Sequence, residues 1–414
     1  MKKKSNKHCQ LNYFPRKEGI VYAAGKSINQ LVNIAGHTPL YIYDRHLIDQ
    51  RVELLKSLLP SQISLHYAIK ANPMPAVVQH LSGILDGLDV ASQAEMLTAL
   101  NSGMCASHIS FAGPGKTDDE LHAAISSEIT INIESHNELQ RINILGKHLG
   151  IIPKVAIRVN PDFELKGAGI KMSGGSKPFG IDAENIPKIL TTISGMNIEF
   201  KGLHIFSGSQ NLNTQAIMDA HNKTFELAAL LLKDNIKDFQ QINIGGGFGI
   251  PYFPGDEALD LKLIADNIQQ LLNDYPIFSN KKIIIELGRY IVGEAGIYVS
   301  RIIDKKVSRG ETYLITDGGL NHHLANSGNF GQIIRKNYPV FISKKEPLNM
   351  LHEETEIVNI VGPLCTSLDI LADKMELPKA EIGDFVVILQ SGAYGKTASP
   401  ENFLSHQAVQ ELLL

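Results

Sequence analysis

The stretch "KIIIELGR", residues 282–289, decides the fold. Three isoleucines stand in a row, and the apolar run stops at once in an acid, a leucine, a glycine and a guanidinium. A strand with one wet face alternates apolar and polar residues, whereas a strand covered on both faces reads as a continuous β-branched run. Burial on both faces belongs to parallel sheets wrapped in helices. Seven more runs of this texture precede it: "SLHYAIKANP" (64–73), "ILDGLDVAS" (84–92), "HISFAGPGK" (108–116), "TINIES" (130–135), "KVAIRVNP" (154–161), "GLHIFSGSQ" (202–210) and "INIGGGFG" (242–249). Helical patterns such as 216–233 and 260–273 separate them. Eight βα units over about 220 residues match a (β/α)8 barrel of the α/β class, with an open doubly wound sheet as the rival. A ninth apolar run, "PLYIYD" (39–44), leaves the count unclean.

After about residue 296 the texture changes. "YVSRIIDKKV" (298–307), "TYLITDGG" (312–319), "ETEIVNIVG" (354–362) and "DFVVILQSG" (384–392) are β-like, with charged turns and few helical stretches between them. The chain therefore divides into an N-terminal segment (1–38) expected to join the β domain, a barrel (39–290) and a C-terminal, mostly antiparallel β domain (291–414).

Composition excludes several classes. The chain has 414 residues, 43% hydrophobic and 20% charged, the balance of an ordinary globular protein. A formal charge of −4 provides no global field for nucleic acid. The basic start "MKKK" is followed by no apolar segment, and no run is long enough to span a bilayer. Three widely spaced cysteines (Cys9, Cys105, Cys365) fit neither a disulfide framework nor a zinc knuckle, and suit a reducing cytoplasm.

Polar residues collect at the C-terminal ends of the barrel runs: Lys70, Asp89, Ser92, Arg158, Asn160, Ser209, Gly245 to Gly247, Glu286 and Arg289. Catalytic groups converge at that end of a barrel. Lys70 closes an apolar run, where desolvation would make a nucleophilic amine; taken alone, it reads more simply as a snorkelling lysine. The glycines of "INIGGGFG" could cradle a phosphate with backbone N–H groups, although a tight turn explains them equally well. In "ELGR" the guanidinium suits a phosphate and the carboxylate suits a ring cation. "SGAYG" (391–395) presents Tyr394 between small residues, and "VGPLCTSLDIL" (361–371) presents Cys365, which alone reads as small apolar filler. An amine, a phosphate cradle, an acid for a ring nitrogen and a barrel together are the parts of a pyridoxal phosphate site.

With "YAIKAN", "LDVASQAE", "GLHIFSGSQ", "INIGGGFG", "ELGR", "DGGLN", "GPLCTSLD" and "SGAYG", the chain resembles the fold type III pyridoxal phosphate decarboxylases, the diaminopimelate, ornithine and arginine decarboxylase family, over residues 39–403. The resemblance implies an alanine-racemase-like barrel with a C-terminal β domain, in a head-to-tail homodimer with shared active sites. It implies Lys70 as the Schiff-base lysine and Glu286 on the ring nitrogen. Phe206 and Leu287 would line the cofactor. Ser209, Gly245, Gly246, Gly247, Gly288, Arg289 and Tyr394 would hold its phosphate, and Asp89 and Arg158 its edge. Cys365 would protonate the substrate's α carbon in the second subunit's site. Asp317, Asn321, Thr366 and Asp369 would face the substrate. "KMSGGSKPFGI" (171–181) resembles the mobile loop after the fifth barrel strand.

Three departures bear on the substrate. Phe206 stands where these decarboxylases usually stack a histidine on the ring. Thr366 stands where ornithine- and diaminopimelate-type enzymes place an acid facing a distal ammonium. Ala325 aligns with the arginine that grips diaminopimelate's distal carboxylate. These versions are similar to a branch that includes decarboxylases of glutamyl groups tethered to acyl carrier proteins and exosortase-associated decarboxylases. The expected activity is release of carbon dioxide from an amino acyl substrate, free or carrier-bound. The alternatives are diaminopimelate decarboxylation, racemisation, or a non-catalytic cofactor-binding regulator.

Overall fold

The computed structural model describes residues 8, 12–167, 169–233, 239–330, 332, 335–347 and 354–414; the basic start (1–4) and Cys9 lie outside them. The eight runs of the first unit form eight strands: β1 (Ile63–Ala68), β2 (Gly87–Val90), β3 (Ile109–Phe111), β4 (Thr130–Ile133), β5 (Lys154–Asn160), β6 (Glu199–His204), β7 (Gln241–Gly246) and β8 (Lys282–Leu287). Each pairs in parallel with the next, and β8 returns to β1. The sheet is therefore a closed barrel, and the open doubly wound alternative is excluded. Ile283, Ile284 and Ile285 of β8 are at most 2% exposed, so both faces of that strand are covered. Truncating one of them to alanine would cost about 2–5 kcal/mol.

Helices return the chain after each strand: Pro75–Ser82, Gln93–Asn101, Asp118–Ser126, His136–Leu149, Ile186–Ser194, Thr214–Leu232 and Leu261–Asp274, then a short turn at Arg289–Val292. Side-chain caps set several of their starts. Ser92, Thr117, Ser135, Asn213 and Asp260 each accept the backbone N–H three residues on. Each cap is worth about 1 kcal/mol. Ser92, a polar strand-end residue in the sequence, is thus a helix cap.

The other compact unit comprises the described residues up to Gln50, together with Pro251–Glu257 and Ile291–Leu414; the barrel unit is Arg51–Ile250 with Ala258–Tyr290. Its strands are β9 (Gly296–Ser308), β10 (Glu311–Thr316), β11 (Val340–Ser343), β12 (Thr355–Val361), β13 (Ile370–Pro378) and β14 (Phe385–Ile388). They pair in the order β11-β14-β9-β10-β12-β13, antiparallel except for β10 with β12. The ninth run, which the sequence bounds (39–290) placed with the barrel, lies in this unit instead. Leu40–Tyr43 pairs antiparallel with β9 and carries Gln410–Leu413 in parallel on its other side. All four of its residues are buried, which is why it reads like a barrel strand. The helix Ile28–Ala35, started by a Ser27–Gln30 capping box, packs Leu31 into a core with Leu40, Ile297, Val299, Phe385 and Val387. Among the described residues no helix is long and apolar enough to cross a membrane.

Candidate active site

The C-terminal ends of β6, β7 and β8 bring three polar side chains into one buried layer. His204 is the strand neighbour of Asn243, and Glu286 is the neighbour of Gly246. Asn243 donates from Nδ2 to Glu286 Oε2 at 3.0 Å, and His204 Nε2 lies 3.2 Å from the same oxygen. Burial alone would raise the Glu286 carboxyl. The His204 ring, the Lys70 ammonium and the Asn243 amide outweigh it and hold the acid down at about 2. The barrel therefore keeps a carboxylate ionised in its interior.

A second acid sits two strands over, past β1. Asp89 at the end of β2 is 8% exposed; its Oδ1 accepts from Ser110 Oγ at 2.5 Å and lies 3.3 Å from His66 Nδ1. Asn132 donates to Ser110 Oγ and extends the chain to β4. Asp89 Oδ2 is buried without a hydrogen-bond partner. On β5, Arg158 pairs with Glu134 at 2.8 Å, both nearly fully buried, and faces the Phe179 ring at 5.0 Å. Burial raises the Glu134 acid, but Arg158 more than reverses this and leaves it below its ordinary value. Glu134 also accepts from the backbone N–H of Gly113 and Gly180. Segment 171–181 follows β5 as expected. Asn160 fastens it, accepting from Gly174 N and donating to Gly175 O and Asp182.

Lys70 lies in the single 3-10 turn Ile69–Ala71 just past β1, its Nζ 5.7 Å from the centroid of the buried Phe206 ring. Lys70 is an exposed residue of this turn, just past the end of the strand. Gly288 brings β8 against this turn; a Cβ there would lie 2.8 Å from Ala71 Cβ. The glycine turn after β7 tolerates no side chain. A Cβ on Gly246 would meet Glu286 O at 2.1 Å, and one on Gly247 would meet Gly208 O at 2.6 Å. Gly245 and Gly247 take φ of +71° and +80°, the left-handed region that favours glycine. Ser209 is half-buried in a short strand paired with Ile170–Lys171, Leu287 is buried, and Arg289 is half-buried at the start of its turn.

In the β unit, Cys365 is exposed at the tip of the loop between β12 and β13. Asp369, expected to face substrate, is 3% exposed, and its oxygens accept from Leu364 N at 2.8 Å and Leu320 N at 2.6 Å. It braces the loop from beneath, and burial raises its carboxyl. Half-buried Thr366 accepts from Leu368 N at 3.3 Å. Asp317 is tied to Thr38 Oγ1 and to Arg301 N, Asn321 is buried beside His322, and Ala325 is 7% exposed. Tyr394 is half-buried, with φ of +53°.

The family profile "Pyridoxal-dependent decarboxylase, pyridoxal binding domain" matches residues 45–293. The chain belongs to the pyridoxal-dependent decarboxylases. It is 35% identical to the L-glutamyl-[BtrI acyl-carrier protein] decarboxylase of Niallia circulans, over 91% of this chain and 88% of that one. It is 32% identical to the diaminopimelate decarboxylase of Aquifex aeolicus, over 97% and 92%. The crystal structure of diaminopimelate decarboxylase from M. jannaschii superposes with a TM-score of 0.87 at 27% identity, covering 97% of this chain and 93% of that one.

This decarboxylase thus takes pyridoxal phosphate as cofactor, and its residues fit that group. An ionised buried carboxylate suits a ring cation, the unpartnered Asp89 oxygen suits a further donor, and an exposed amine stands beside an aromatic face. Sequence reasoning quoted His66, Glu134, His204 and Asn243 within its runs but assigned them nothing. Their signal was alternation: His204 and Asn243 each stand two residues before a turn residue of interest, and so share the inward face of their strand.

Proposed function

We propose that this decarboxylase removes carbon dioxide from the α carbon of an amino acyl group whose far end is uncharged and tethered, as on the phosphopantetheine arm of an acyl carrier protein. Thr366 carries this reading. Where related decarboxylases set an acid against a distal ammonium, this chain offers a hydroxyl already engaged by Leu368 N. An ammonium desolvated there without a counter-charge would cost several kcal/mol. The buried Ala325 offers a distal carboxylate no cation either. The likeness to a decarboxylase of a carrier-bound glutamyl group supports the same substrate class.

In this reading Lys70 holds the cofactor's aldehyde, Glu286 its ring cation, Phe206 and Leu287 its flanks, and Asp89 and Arg158 its edge. Ser209, the three glycines, Gly288, Arg289 and Tyr394 take its phosphate. When bound, pyridoxal phosphate accommodates the electron pair freed as carbon dioxide departs. Cys365 then gives its Sγ proton to the α carbon, acting in the site of the second subunit of a homodimer. The test is carbon dioxide release from a glutamyl-loaded carrier protein, with Lys70→Ala as control. Turnover of free diaminopimelate at an equal or higher rate overturns the reading. So does a Lys70→Ala variant that keeps the cofactor's lysine-bound absorbance.

A further inference from the structure

We infer that His204 and Asn243 are positioning residues for Glu286, occupying one carboxylate oxygen so that the other is presented, ionised, to the cofactor's ring nitrogen. The inference rests on the assignment of Glu286 to that nitrogen. Both neighbours address the same oxygen: Asn243 Nδ2 donates to Oε2 at 3.0 Å, and His204 Nε2 lies 3.2 Å from it. Among the described residues Oε1 accepts no hydrogen bond. The orientation of Asn243 is itself fixed, because its Oδ1 accepts from Gly245 N at 2.8 Å and its amide N–H groups must face the acid. The glycine turn and the acid are thus joined through one side chain.

His204 lies against the same oxygen by proximity rather than through a directed bond. Its ring is buried and neither nitrogen is in line for a hydrogen bond, yet Nε2 lies 3.2 Å from Oε2 and helps to lower the Glu286 carboxyl. The other titratable groups around Glu286 have different tasks. His66, its strand neighbour on β1, turns Nδ1 to Asp89, and Lys70 is exposed beyond the strand end. Two of the barrel's buried acids thus each lie beside a histidine, Glu286 beside His204 and Asp89 beside His66.

The test uses holoenzyme loaded with ring-15N pyridoxal phosphate, and follows the nitrogen resonance from neutral to alkaline pH. In the native enzyme the nitrogen stays protonated, and Glu286→Gln abolishes this. His204→Phe and Asn243→Ala are each expected to lower the pH at which the nitrogen loses its proton by about one unit or more. A purely structural role would lower melting temperature and leave that midpoint in place. If His204→Phe does not fold, His204→Gln carries the same readout. Unshifted midpoints in the variants overturn the inference, provided Glu286→Gln shifts it; an unchanged resonance in Glu286→Gln overturns the Glu286 assignment instead.

Discussion

Asp369 accepts a hydrogen bond from the backbone N–H of Leu364, 2.8 Å away and one residue before Cys365. Its other oxygen accepts from Leu320 N, so one buried carboxylate ties "DGGLN" to "GPLC". Gly319 and Gly362 leave room for it; a Cβ on either would lie 2.3 Å from the carboxylate. Asp369→Ala strands two buried N–H groups and should cost about 3 kcal/mol in urea unfolding. Carbon dioxide release should fall while cofactor affinity holds, because the loop that loses its brace carries the proposed proton donor, Cys365, and none of the proposed cofactor ligands.

Gly246→Ala puts a methyl 2.1 Å from Glu286 O, at the pairing of β7 with β8. Backbone must move at the base of the glycine turn. Cofactor affinity, read by fluorescence titration, should fall tenfold or more, at least about 1.4 kcal/mol.

Much of the fold was legible because both-face burial leaves a one-dimensional trace. The isoleucines of β8 read as a parallel strand, and so did the seven other runs. Leu40–Tyr43 misled for the same reason: a fully buried strand of a mixed sheet carries the same trace, and only its pairing with β9 distinguishes it. The site was less legible. A glycine run or an acid at a strand end announces itself, but the direction a side chain takes does not. Asp369 turns inward to two backbone donors, and Lys70 sits beyond its strand on a single 3-10 turn. His204 matters through a partner 82 residues away in the chain, on a strand two places over, and no local pattern records that.

His221 and His323 are fully buried, and burial pushes them from 6.5 down to about 4 and about 3. The unfolded chain binds these protons near 6.5 and the folded chain does not. Their stabilisation is therefore complete above that pH and is lost as the pH falls towards 4. At about pH 5 each should cost about 2 kcal/mol. Glu286, depressed in the folded state, adds a further loss once the pH drops below its unfolded value of 4.5. Urea midpoints measured across pH 4 to 7 should fall steeply on the acid side, and His323→Phe should flatten the slope.

Phe206→Leu removes the aromatic face beside Lys70 and keeps an apolar side chain. Cofactor binding should weaken by up to about tenfold, within about 1.5 kcal/mol. The lysine-bound absorbance should survive, since Lys70 itself is untouched.

Thr366→Asp places an acid where a distal ammonium would arrive. Turnover of free diaminopimelate should rise, and turnover of a tethered acyl group should fall, which reverses the proposed preference. Steady-state rates on both substrates check this.

The most direct test is competition in one vessel. Holoenzyme is given equimolar glutamyl-loaded carrier protein and free diaminopimelate, and mass spectrometry follows carbon dioxide loss from each. Preferential decarboxylation of the loaded carrier is the predicted result. Equal or faster consumption of free diaminopimelate would contradict the account.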